Sequence, residues 1–240
     1  MTIKKIIIAG LVGMALASAA MADQIQIGYS GSGYGPYQTG LGGEFTVNPI
    51  TPAGWLDLSG YVNGQTGNIG TSGTFETFCV EGSEVIYPYN ATYNAVINQN
   101  AVQGGVGPAG DPLSVGTGWL YRQFATTTWD SGLSYNYGAN RKTSAGALQN
   151  AIWWLEVEEG IAYNSGNIYM KAVVDKFGTE AGAKADGGWT YGVYALNLTV
   201  PGTGALAQDQ LYFVPDSGTT IMLLGIGLGG MALVARRRRS

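Results

Sequence analysis

The chain contains no histidine and only one cysteine, Cys79. The first absence excludes Ser-His-Asp triads, Cys-His dyads and His-ligated metal sites. The second excludes an internal disulfide and cysteine-built zinc or iron–sulfur centres. Charge is scarce too: charged residues make up 12% of the chain, against ~25% in an ordinary soluble domain. Between Asp23 and Val214 stand 6 basic and 15 acidic residues, so 6 − 15 = −9. That body lacks the basic footprint that nucleic-acid phosphates require, so no nucleic-acid partner is expected. No cofactor, metal or turnover catalysis is expected either. Disorder is excluded as well, because 45% of residues are apolar and 11% aromatic.

What is present begins at the two ends. Residues 1–22 have the three parts of a secretory signal peptide. Lys4 and Lys5 form the positive start, Ile6 to Ala20 the apolar stretch, and Ala20-Met21-Ala22 a small-x-small cleavage site before Asp23. At the other end, Thr219 to Ala235 is apolar and is followed at once by Arg236, Arg237, Arg238 and Arg239. As a helix the segment spans roughly 26 Å, slightly short of the ~30 Å hydrocarbon core. The arginines then stay on the cytoplasmic side and the body lies outside. Gly225, Gly227 and Gly230 fit a dinucleotide fingerprint by spacing, but a membrane segment is the wrong context for one.

Directly before the apolar segment stands Val214-Pro215-Asp216-Ser217-Gly218. A short proline-containing motif, an apolar helix and an arginine cluster, in that order, resemble the PEP-CTERM sorting signals of Gram-negative bacteria in their VPDSG variant. The resemblance implies an exosortase, a membrane cysteine protease, as processing partner. It also implies export across the inner membrane, transient anchoring through the C-terminal helix, and a cell-surface or extracellular destination.

Removing both ends leaves residues 23–213 as one domain. Residues 28–43 hold seven glycines, which disfavour helix and point to an exposed loop or loosely paired strands. Strand-like alternation follows at Phe45 and Val47, Leu56 and Leu58, Tyr61, then Phe75 and Phe78, interrupted by turn clusters such as Asn63-Gly64. Short helices are expected around Tyr93, Val96 and Ile97 and over Leu113 to Phe124. The clearest helix runs from Ser144 to Glu159, with Ser144 or Thr143 as cap, Leu148, Ile152 and Leu155 as the core stripe, and Gly160 as the stop. Ile168 to Phe177 is a fourth. Strands return at Thr190 to Val200 and Gln210 to Val214. The expected fold class is α+β: a β-rich sandwich or barrel-like core with three to four helices inserted in the middle, plus the two terminal helices.

One constellation carries chemistry. A lone cysteine in an exported chain is a buried small hydrophobe, an intermolecular disulfide or a reactive group. Cys79 lies in Thr77-Phe78-Cys79-Val80-Glu81, and Leu148-Gln149-Asn150-Ala151-Ile152-Trp153 lies in the best helix. These segments resemble the aromatic-Cys and Q-x-A-I-W motifs of bacterial thioester domains found in surface adhesins. Gly118-Trp119-Leu120-Tyr121 and Gln208-Asp209-Gln210-Leu211 resemble the sorted-protein branch. The resemblance implies that Cys79 and Gln149 join as an internal thioester, with Leu148 where the adhesins carry Thr. Phe78, Trp153 and Trp154 are the expected water-excluding shell. An amine or hydroxyl on a surface or matrix target would displace the sulfur and become attached to Gln149, once per molecule. The alternative is a non-covalent structural protein of the surface or biofilm matrix, with Cys79 a core thiol. Glu156 and Glu159, one turn apart, read as a solvated helix face rather than a glycosidase pair. The sequons at Asn90 and Asn197 read as ordinary surface. The tyrosines and tryptophans suit either a sheet surface or carbohydrate contact.

Overall fold

A computed structural model of the protein describes residues 23–28, 37–39, 42–50, 73–86, 91–102 and 110–215. The signal peptide, the strand candidates at Leu56, Leu58 and Tyr61, most of the sorting motif, the apolar helix 219–235 and the arginine tail lie outside the described residues. Among the described residues no helix is long and apolar enough to cross a membrane.

The strands are β1 (Asp23–Ile27), β2 (Gln38–Thr39), β3 (Gly42–Gly43), β4 (Phe45–Pro49), β5 (Phe75–Thr77), β6 (Thr92–Asn98), β7 (Asn100–Ala101), β8 (Asp111–Pro112), β9 (Val193–Thr199) and β10 (Leu206–Phe213). Four helices lie between β8 and β9: α1 (Val115–Thr126), α2 (Arg141–Leu155), α3 (Ile168–Phe177) and α4 (Glu180–Ala183), followed by a 3-10 turn over Gly188–Tyr191. The α+β class holds, with a sheet-rich core and about four helices.

Six strands form one antiparallel sheet in the order β10-β9-β6-β1-β4-β5. Its inner face follows from alternation: Ile25 and Ile27 are buried between half-buried glutamines, and Ile25 sits opposite Tyr93, Ile27 opposite Val47 and Val47 opposite Phe75. The two outer strands of that order meet. Just beyond β5, Cys79 bridges Gln210 of β10. Leu211 N–H donates to the Phe78 carbonyl and Val80 N–H to that of Asp209, both at 3.0 Å. The sheet is thereby closed into a barrel, which leaves no long open edge among the described residues. A register shift between Ala207 and Gln210 of β10 marks a bulge. There Asp209 turns its carboxylate onto Leu198 N–H and the Asn197 amide.

The helices pack on this barrel and are tied to one another at their ends. Ser114 caps α1 by accepting from Thr117 N–H, and its hydroxyl donates to Glu156 at the end of α2. Asn167 caps α3 through Tyr169 N–H and Met170 N–H and donates its amide to the Ala147 carbonyl of α2.

Four expectations are corrected. Asn197 is not ordinary surface: it is buried, and its amide donates to Asp209 and to the Asn100 carbonyl. The helix around Tyr93, Val96 and Ile97 is strand β6, in which Tyr93 and Ala95 are buried while Val96 is 54% exposed. The central helix runs from Arg141 to Leu155 rather than from Ser144 to Glu159; its N-cap is Asn140, and neither Ser144 nor Gly160 bounds it. Glu156 does not belong to a solvated face: it is buried against Ser114.

Candidate functional site

The strand register creates the site. Phe45 of β4 pairs with Thr77 of β5, so Gly43, two residues before, and Cys79, two residues after, emerge at the same end of the barrel. Helix α2 passes over that end. The Cys79 Sγ is 3.1 Å from Gln149 Oε1, across seventy residues of chain. The Gln149 Nε2 donates to the Cys79 carbonyl at 2.8 Å. The Gln149 Oε1 accepts from Cys79 N–H at 3.2 Å and from Gly43 N–H at 3.4 Å. Two backbone donors thus converge on one carboxamide oxygen, the geometry that stabilises negative charge developing there.

Water is kept out by a strap. The short hairpin of β2 and β3 lies along α2. On one strand of the strap the Thr39 hydroxyl donates to the Lys142 carbonyl. On the other strand its register partner Gly42 touches Gln149 and Trp153: a Cβ on Gly42 would stand 2.5 Å from Gln149 Cγ and 2.7 Å from Trp153 Cη2. Only glycine permits that approach. Cys79 and Gln149 are accordingly buried, at 0% and 1% exposure. Burial pushes the Cys79 thiol pKa well above its ordinary value, with Glu81 and Glu159 adding to the rise.

The strap is held by a buried ion pair. Arg141, at the start of α2, donates from Nε and Nη2 to both carboxylate oxygens of Glu44, at 2.7 to 3.1 Å. Tyr135 donates its hydroxyl to the same carboxylate. The Tyr37 ring lies 4.1 Å from the guanidinium carbon. Burial works against the charge of Arg141, but Glu44 overrides it and holds the guanidinium pKa above its ordinary value. Burial likewise draws Glu44 towards its neutral form, and Arg141 opposes it.

Of the expected shell, Trp153 is at the site, one turn beyond Gln149 on the same face of α2. Trp154 is turned away, against Tyr163 at 5.5 Å and beneath Lys184 at 4.7 Å. Phe78 points opposite to its neighbour Cys79 and packs on Phe124 and Tyr121. Sequence reasoning did not single out Gly42, Gly43, Glu44 or Arg141. The glycine-rich stretch was a signal for the first two; the others gave none. Among the described residues no group of His, Cys, Asp and Glu could hold a metal ion.

Residues 214–239 match the model of the VPDSG-CTERM motif. The motif supports an exosortase-sorted protein of PEP-CTERM type, with export, processing by that membrane protease and a cell-surface or extracellular destination. The match lies wholly in the tail and does not reach Cys79 or Gln149. No curated protein and no solved structure matches the chain.

Proposed function

We propose that the chain is a surface protein that attaches covalently to its target through a thioester between Cys79 and Gln149. The observation that carries this reading is the Gln149 carbonyl, held by the amides of Cys79 and Gly43 with the thiol 3.1 Å from its oxygen. In the forming step Sγ bonds to Cδ of Gln149 and the Cδ–Nε2 bond breaks. The thiol proton leaves with that nitrogen, as ammonia. The oxygen that carries the intermediate's charge is the one the two amides face. Burial disfavours a free thiolate at Cys79, and the thiol rests against Gln149 Oε1. Burial also protects the acyl bond from water.

The target's approach runs beside the strap. A cleft of about 620 Å³ there is lined by Thr39, Thr143, Gly146 and Asn150. An amine or hydroxyl that displaces the strap meets the acyl carbon. The event consumes the bond, so the protein captures once rather than turning over. Export through cleavage before Asp23, transient anchoring through residues 219–235 and processing at Val214 to Gly218 deliver the body to the outer surface. The test is peptide mapping after methylamine treatment. The expected result is a methylamide on Gln149 and a new free thiol on Cys79. An unmodified Gln149 in folded protein rejects the proposal.

A second reading has its own support. Cys79 closes the barrel with Gln210, and Gln149 Nε2 satisfies the Cys79 carbonyl. A purely structural surface or matrix protein would need the same contacts, and it would keep the thiol and the amide intact.

A further inference from the structure

The cleft beside the strap has no charged residue in its lining. Its floor is the stripe of α2 made by Thr143, Gly146 and Asn150, spaced three and four apart. One wall is Thr39 of the strap. The other is the turn at Asn164 and the start of α3, where Ile168 is 50% exposed. Both walls are fastened to the floor helix. Thr39 donates its hydroxyl to the Lys142 carbonyl at 3.0 Å, and Asn167 donates its amide to the Ala147 carbonyl at 2.8 Å. The cleft is therefore pre-formed, and its volume, about 620 Å³, falls within the ~300–1,000 Å³ of small-ligand sites.

This lining selects by chemistry. An ion would lose water there without meeting an opposite charge. That disfavours an ammonium-bearing target, which needs a carboxylate, and an acidic one, which needs a cation. An apolar ligand would cover hydroxyl and amide groups and leave them without partners. The Thr143 hydroxyl and the Asn150 carboxamide are exposed and have no hydrogen-bond partner among the described residues. Asn164 is set in place by accepting from Gly166 N–H at 2.9 Å, which leaves its NH2 to donate. Amides and hydroxyls donate and accept side by side. The neighbouring hydroxyls of a sugar do the same, and Gly146 and Ile168 offer apolar ground for the C–H face of its ring.

We infer that this cleft is a binding site for a neutral, hydroxyl-rich oligosaccharide; its part in capture rests on the thioester proposed above. Thr39 in the wall pairs in register with Gly42, which touches Gln149. One strand spacing, ~4.8 Å, thus separates the wall of the cleft from the strand that covers the acyl group. When the strap yields, a hydroxyl oxygen of the bound sugar bonds to Gln149 Cδ. The Cδ–Sγ bond breaks, its electron pair passes to Sγ, and the hydroxyl proton ends on that sulfur. The product is an ester between the sugar and Gln149, with Cys79 a free thiol.

The test uses the exported chain, Asp23 to Ser240, in a detergent without a sugar headgroup. Binding is measured first on Cys79→Ala, in which no thioester can form. The probes are neutral hexasaccharides of glucose, galactose, mannose and N-acetylglucosamine. The expected result is saturable binding of at least one, with the side-chain amide ¹H–¹⁵N resonances of Asn150 and Asn164 moving as it binds. Asn150→Ala, at an exposed helical position that alanine suits, should weaken binding about fivefold, the scale of one neutral hydrogen bond. Failure of all four probes to bind, unmoved amides, or unchanged affinity in Asn150→Ala overturns the inference. Tighter binding of a lysine-rich peptide or of an acidic oligosaccharide at the same amides also overturns it. The wild type then separates the two claims. A wild type of full mass rejects the thioester and leaves the binding result to decide the cleft. A wild type that carries the thioester should gain the full mass of the bound sugar; if it binds the sugar and never gains that mass, the cleft has no part in capture.

Discussion

Cys79 and Gln149 are held by reciprocal contacts, with the thiol 3.1 Å from Oε1 and Nε2 donating to the Cys79 carbonyl at 2.8 Å. A strand just past its last ladder residue and the inner face of a helix meet at one side chain each. The barrel fixes the first position and the packing of α2 the second, so the geometry belongs to the fold rather than to a flexible loop.

The strap is predicted to depend on Gly42. An alanine there would place its Cβ 2.5 Å from Gln149 Cγ and 2.7 Å from Trp153. Overpacking of this kind costs about 1–3 kcal/mol. Gly42→Ala should lower the urea midpoint and abolish methylamine incorporation at Gln149. Undiminished incorporation would show that the strap does not hold the carboxamide in place.

Arg141 is predicted to be the strap's latch. Removing it leaves Glu44 buried without its cation, which costs about 3–5 kcal/mol. Arg141→Ala should therefore destabilise far more than Lys171→Ala, since the Lys171–Asp175 pair is exposed. Urea unfolding of the two variants checks the ranking. Equal effects would contradict it.

Stability is predicted to fall as pH rises from about 5 to about 7. Burial raises the Glu156 pKa from 4.5 to about 7 in the folded chain, and that of Asp209 from 3.8 to about 6. In this window the folded state binds more protons than the unfolded state, so raising the pH favours unfolding. The Glu156 shift alone corresponds to a loss on the order of 3 kcal/mol. Glu156→Gln should flatten the upper part of the window and leave the part due to Asp209. Unfolding free energies measured across the window check this; a wild type that gains stability from pH 5 to 7 would contradict the sign.

Much of the fold was legible where local chemistry decides. Helix α3 falls where its pattern placed it, because Asn167 and Gly178 cap it locally. Helix α2 starts three residues earlier than its capping signal, because Arg141 is drawn in by Glu44, ninety-seven residues away. Strand β6 mimics a helix because Tyr93, Val96 and Ile97 are spaced three and four apart, yet Val96 faces solvent. At the site, Cys79 and Gln149 were legible as motifs. Their supporting donors were not: the Gly43 amide is backbone and leaves no mark in residue type. Trp154 adjoins Trp153 in sequence, but one residue along a helix turns about 100° and carries it away from the site.

Sorting is predicted to require the motif and not the apolar segment alone. Scrambling Val214 to Gly218 while keeping Thr219 to Ala235 should retain the protein in the membrane with an unprocessed C-terminus. The same experiment should find Asp23 as the N-terminus of the exported chain. A scrambled chain that reaches the same location with the same mature C-terminus would contradict the reading.

The most direct measurement is the intact mass of the folded chain beginning at Asp23, compared with Cys79→Ala and Gln149→Ala. Thioester formation expels ammonia, so the wild type should be lighter than its sequence by about 17 Da, with no titratable thiol. Methylamine should erase the deficit and release the Cys79 thiol, and neither variant should show either signal. A folded wild type of full mass with a free thiol would contradict the account and leave Cys79 as a structural residue of the barrel.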